Sequence, residues 1–106
     1  MEVLRMGGNE MISFKIISTV GTARSMYIEA IAKAKAGDFE RADNLIKEGN
    51  EKFLEGHKAH VTLIQKEANG EKVELSLILM HAEDQLMSAE TVKIVAQEII
   101  DIYRNK

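Results

Sequence analysis

The chain has 106 residues, which fits one small domain and makes association with other chains worth expecting. Hydrophobic residues make up 45% and charged residues 29%, proline is missing, and the balance favours helix. A net charge of -3 with mixed signs argues against nucleic acid, and the lack of cysteine excludes disulfides and thiolate metal sites. The longest apolar run, Leu77 to Met80, is too short for a signal peptide or a membrane span, so a cytoplasmic protein is expected.

Residues 1–8 read as a flexible leader broken by Gly7-Gly8, with Asn9 as the expected cap of the first helix. A single domain then occupies residues 9–106. From Met11 to about Ala36, Phe14, Ile17, Val20, Ala23, Tyr27, Ile31 and Ala34 recur at helical spacing. Gly21 lies inside this helix at a cost of about 1 kcal/mol against alanine, which suggests close approach of another backbone or a tolerated weak spot.

Gly37 can take the left-handed conformation that ends a helix, and Asp38 can cap the next. A second helix is expected from Phe39 to about Glu67, with Phe39, Ala42, Leu45, Ile46, Phe53, His60, Leu63 and Ile64 on one side. Asn69-Gly70 signals a turn, and a third helix is expected from about Glu71 to Tyr103. Short connections between three helices predict an all-α, antiparallel three-helix bundle. The runner-up is a pair of long helices with a frayed first segment.

The third helix carries two apolar faces. Leu75, Ile78, Ala82, Leu86, Ala89, Val92, Ala96, Ile99, Ile100 and Tyr103 are expected to enter the bundle's core. Val73, Leu77, Met80, Met87, Ile94, Val95 and Ile102 lie roughly opposite, and Glu83, Glu90, Gln97 and Asp101 form a polar strip on one flank. A lone bundle needs only one stripe per helix, so the second face predicts self-association around an axis. Asp84 falls near the middle of that face. It would pair with a nearby Lys or Arg, sit at a solvated edge or, in a ring of copies, share a divalent ion such as magnesium. His81 lies between the faces, at the seam of core and interface. His57 and His60, at i, i+3, offer two imidazoles without a third ligand, so zinc has little support. The serines lack a nucleophile-elbow setting, and no phosphate-binding glycine loop is present.

Gly21-Thr-Ala-Arg-Ser25, Ala34-Lys-Ala-Gly-Asp-Phe39, Gly56-His-Lys-Ala-His60, Leu63-Ile-Gln-Lys-Glu-Ala68 and above all Leu79-Met-His-Ala-Glu-Asp-Gln-Leu-Met87 resemble the enzyme IIA component of the lactose/cellobiose class of the bacterial sugar phosphotransferase system. The resemblance spans about residues 10–104. It implies that His81 is the phosphorylated histidine, that the chain forms an all-helical homotrimer, and that Asp84 supplies a shared axial site for Mg2+. It further implies that phosphoryl arrives from the histidine-containing phosphocarrier protein and leaves to the sugar-specific IIB component. Gln85 stands where many members have histidine, Thr22 where asparagine is common, and His60 where glutamine is common. Gln85, one turn beyond His81, is a candidate donor to the phosphoryl oxygens. A structural or adaptor bundle without phosphoryl transfer is the alternative, and a metal-dependent enzyme using His57 and His60 a further one.

Overall fold

The computed structural model describes residues 8–106, so the expected leader lies outside the described residues except for Gly8. Three helices run in order: α1 spans Gly8–Lys35, α2 Phe39–Ala68 and α3 Leu77–Arg104. There is no strand among the described residues. The helical bundle is as expected, and the pair-of-helices alternative is not, because α1 is a full helix that packs against both others.

Helix α1 starts earlier than its apolar pattern suggests. Asn9 lies inside it rather than capping it, and its side-chain oxygen accepts a hydrogen bond from Lys66 Nζ at 3.0 Å. The two turn signals act through the same backbone device. Gly37 and Gly70 both adopt positive φ, +85° and +83°, and each is followed by an amide reaching five residues back, Asp38 to Lys33 and Glu71 to Lys66. Only glycine takes that conformation without strain, which is why the helices end there. Asp38 then accepts from the Arg41 amide at 3.1 Å and caps α2.

The start of α3 differs from expectation. Residues 71–76 are not helical, and Ser76, in an extended conformation, accepts from the Leu79 amide and caps the helix. Such a cap is worth about 1 kcal/mol. Val73 packs against the main core cluster while Leu75 is almost fully exposed. The chain thus crosses the end of the bundle before α3 begins, and Leu75 leaves the core face on which a longer helix would have put it. Leu79 takes its place inside.

Helix α1 is the common partner of the other two, and α2 and α3 barely meet. Close approach explains this. Alanines Ala23, Ala30, Ala34 and Ala42 are buried where helices cross. On α2, a Cβ at Gly49 would stand 2.7 Å from Tyr27 Cε1, and one at Gly56 would stand 2.5 Å from Val20 Cγ1. These two glycines, rather than Gly21, leave the room that α1 side chains fill against α2; a Cβ at Gly21 would meet nothing within 4 Å. Ile16, Val20, Leu63, Leu79, Ala82, Leu86 and Ala89 form the largest core cluster. Phe14 and Ile64, expected on core stripes, are instead about half exposed.

Candidate functional site

The inner side of α3 holds Leu79, Ala82, Leu86, Ala89, Ala96 and Ile100 against α1 and α2. Its outer side leaves Leu77, Met80, Met87, Ile94, Val95 and Ile102 between 48% and 83% exposed. Two apolar faces are therefore present, and one is uncovered in the single chain. An uncovered apolar stripe of this length marks an interaction surface. Asp84 is exposed within that stripe, and no ion pair of the described residues involves it. Among the described residues Asp84 thus has no cation partner and stands at a solvated position of the single chain.

His81 is exposed beside the same stripe, and Gln85, one turn on, is half-buried. The imidazole hydrogen bond found among the described residues belongs to His60, not to His81. His81 is thus presented by a rigid helix with both ring nitrogens free of partners from the described residues of its own chain. Either nitrogen can therefore engage a ligand or partner without first breaking an internal bond.

Helices α2 and α3 leave an open groove that polar struts cross at three levels. His60 Nε2 donates to Glu83 Oε1 at 2.5 Å near one end. A carboxylate only accepts, so the imidazole must supply the proton. In the middle Lys93 lies over the Phe53 ring, 5.6 Å from its centroid, and Phe53 stacks beside His57. At the far end Arg104 pairs with Asp43 and covers the Phe39 ring. The end bearing His60 and Glu83 opens into a cavity of about 420 Å³, lined by Leu63, Ile64, Glu67, Met80, Glu83, Asp84 and Met87 among others.

The His60–Glu83 pair escapes sequence reading because its members are 23 positions apart and on different helices. The available signal was the acidic strip on the flank of α3, which turns out to face α2. The two histidines whose spacing alone could have suited a metal part company: His60 turns to Glu83, and His57 stacks on Phe53. Among the described residues no three His, Asp or Glu side chains gather as metal ligands.

The fold and most of the sequence have known counterparts. Residues 11–104 match the family model described as PTS system, Lactose/Cellobiose specific IIA subunit. The lichenan-specific phosphotransferase enzyme IIA component of Bacillus subtilis is 47% identical over 94 residues, covering 89% of this chain and 86% of that protein. The crystal structure of the PTS cellobiose-specific enzyme IIA from Bacillus anthracis superposes with a TM-score of 0.92 at 44% identity, covering 94% of this chain and 92% of that one. A solution structure of a IIA(Chitobiose)–HPr complex superposes with a TM-score of 0.82 at 27% identity, covering 94% and 97%.

Proposed function

The chain belongs to the lactose/cellobiose-specific IIA subunits of the sugar phosphotransferase system, and on that footing we propose that His81 is its phospho-acceptor. His81 takes phosphoryl from the histidine-containing phosphocarrier protein and passes it to the sugar-specific IIB component during uptake of lactose, cellobiose or a related β-disaccharide. The protein is then a stoichiometric relay of the cytoplasm. No helix among the described residues is long and apolar enough to cross a membrane. The observation that carries this reading is His81 itself, exposed on a rigid helix beside an uncovered apolar surface, with no partner among the described residues of its own chain. The solved complex of a IIA(Chitobiose) relative with HPr supports the choice of donor.

The transfer balances without any other reactant. The lone pair of one His81 nitrogen forms the new bond to phosphorus as the bond to the donor's nitrogen breaks, and that nitrogen regains its lone pair. The other His81 nitrogen keeps its proton. Phosphoryl transfer of this kind depends on positioning and charge stabilisation rather than on covalent help. Gln85, one turn beyond His81 on the same helix, would donate its amide N–H groups to the phosphoryl oxygens.

The uncovered face of α3 supports a homotrimer with the α3 helices around the axis. Three copies of Asp84 would then converge in an apolar setting, where their repulsion is costly unless a shared cation offsets it. Mg2+ fits three carboxylates, and its role there is structural.

Labelling with phosphoenolpyruvate and the general phosphotransferase proteins tests the assignment. Wild type is expected to give an acid-labile, alkali-stable label, and His81→Ala to abolish it with helicity and melting temperature unchanged, since the side chain is exposed. Label persisting in that variant overturns the assignment, and a wild type that assembles but accepts no phosphoryl favours an adaptor bundle.

A further inference from the structure

The outer face of α3 has the spacing of a seam. Leu77, Met80, Asp84, Met87, Thr91 and Ile94 succeed one another in steps of three, four, three, four and three, and all are exposed in the single chain. Alternating steps of this kind belong to helices wound in parallel around a common axis, where each step adds one layer of inward side chains. In the cyclic assembly proposed above, this spacing decides which residues reach the axis. The helical rise puts the Met80 layer about 6 Å to one side of the Asp84 layer, and the Met87 layer about 4.5 Å to the other.

Methionine has its own chemistry at these two layers. Met80 and Met87 are 58% and 61% exposed in the single chain, and both line, with Asp84, one open cavity of about 420 Å³. Met26, by contrast, packs against a core cluster. Leucine would cover an apolar interface equally well, whereas methionine adds a polarizable sulfur. Three thioethers around an axis are neutral, soft donors. Mg2+ takes oxygen ligands in octahedral geometry and gains nothing from them. Soft thioethers select Cu(I) instead. A monovalent ion costs less to bring out of water than a divalent one, because the cost grows with the square of the charge. The Asp84 carboxylates, about one helical turn away, attract it. Leu77 and Ile94 close the seam on the outer sides.

We propose that Met80 and Met87 form two rings of three thioethers around the axis of the assembly, each binding a soft monovalent cation, Cu(I), one on either side of the Asp84 carboxylates. The site rests on the trimer proposed above, since one chain supplies a single sulfur to each ring. It uses none of the residues assigned to phosphoryl transfer, and its donors are the sulfurs rather than the Asp84 oxygens.

Uptake of Ag+, which shares the charge and donor preference of Cu(I) without its redox chemistry, tests the site on the assembled protein in chloride-free buffer. Native mass spectrometry should find two Ag+ per trimer of wild type, one in Met80→Leu, one in Met87→Leu and none in the double variant. Leucine keeps the volume and apolar character of methionine, so the trimer should persist in all of them. Asp84→Asn should keep both ions at weaker affinity, because the rings remain and only the charge between them is lost. In wild type, the side-chain methyl resonances of Met80 and Met87 should shift on titration well ahead of those of Met11 and Met26. A trimer that takes up no Ag+, or a double variant that takes up as much as wild type, overturns the proposal. Equal shifts at Met11 would mark adventitious binding to any thioether and overturn it as well. Should the leucine variants fail to assemble, the silver count and methyl shifts of wild type still decide the matter. Wild type that sediments as single chains strikes the assembly, and this site with it, whereas a trimer without Ag+ strikes the site alone.

Discussion

The two faces of α3 are both apolar, yet they are built from different sizes of side chain. The inner face mixes alanines with leucines and Ile100, and Ala82, Ala89 and Ala96 let α3 pack close to α1. Apart from Asp84, the exposed apolar members of the outer face are Leu, Met, Ile and Val, and every alanine of α3 is buried. Small residues belong where a helix of the same chain must fit between fixed neighbours. Large and adaptable ones belong where a separate molecule supplies the complementary surface. Hydrophobicity alone thus says that a face is buried by something, and residue size says by what.

The strongest way to break that distinction is to damage each face in turn. Leu86→Ala removes a buried side chain and should cost about 2–5 kcal/mol, read as a large drop in melting temperature. Met87→Glu, the next residue but on the outer face, should leave the single chain helical and dissociate the assembly, as sedimentation would show. Asp84→Leu should act in the opposite sense, keeping or tightening the proposed trimer while removing any dependence on magnesium. Unfolding by Met87→Glu, or monomers from Asp84→Leu, would mean that the outer face is not the subunit interface.

A second contrast lies between the tight α1–α2 seam and the loose α2–α3 groove. Tyr27 is fully buried in the seam and donates to Asn50 Oδ1 at 2.8 Å. Burial pushes its hydroxyl up to about 12 from the usual 10.0. The folded chain therefore holds that proton more firmly than the unfolded chain. The resulting stability is fully present below pH 10 and is lost as pH rises toward 12. The loss amounts to about 2–3 kcal/mol. Tyr27→Phe should cost about 0.5–1.5 kcal/mol at neutral pH through the hydrogen bond, and should decline less steeply between pH 10 and 12. Parallel decline of both proteins in urea melts would place the tyrosine in a wetter setting than the seam.

Much of this is legible in the sequence, wherever the cause is local. Gly37-Asp38 and Asn69-Gly70 end helices through backbone conformations that depend on those residues alone. The two faces of α3 also come from spacing, and so does the position of His81 on the flank between them. What escapes depends on partners distant in sequence. Gly49 and Gly56 are spaced by seven, but only Tyr27 and Val20, far back on α1, show why they are glycine. The early start expected for α3 arises because Val73, Leu77 and Met80 continue the helical spacing into a segment that Ser76 in fact terminates. The His60–Glu83 strut needs two helices to be seen at all.

The smallest predicted effect separates the two kinds of helix-interior glycine. Gly56→Ala puts a methyl 2.5 Å from Val20 Cγ1 and 2.7 Å from Thr19 Oγ1. Val20, Thr19 or the helices themselves must shift to relieve the clash, which should cost about 1–3 kcal/mol. Gly21→Ala meets nothing within 4 Å, so only the backbone matters, and alanine should stabilise α1 by about 0.5–1 kcal/mol. The two melting temperatures should thus move in opposite directions. If Gly21→Ala raises stability yet slows labelling, the glycine keeps the outer side of α1 low for an approaching partner. If it raises stability and leaves labelling unchanged, Gly21 is a weak spot in the helix and nothing more. A fall in stability would mean that the α1 backbone at Gly21 is closer to a neighbour than the open space around it shows.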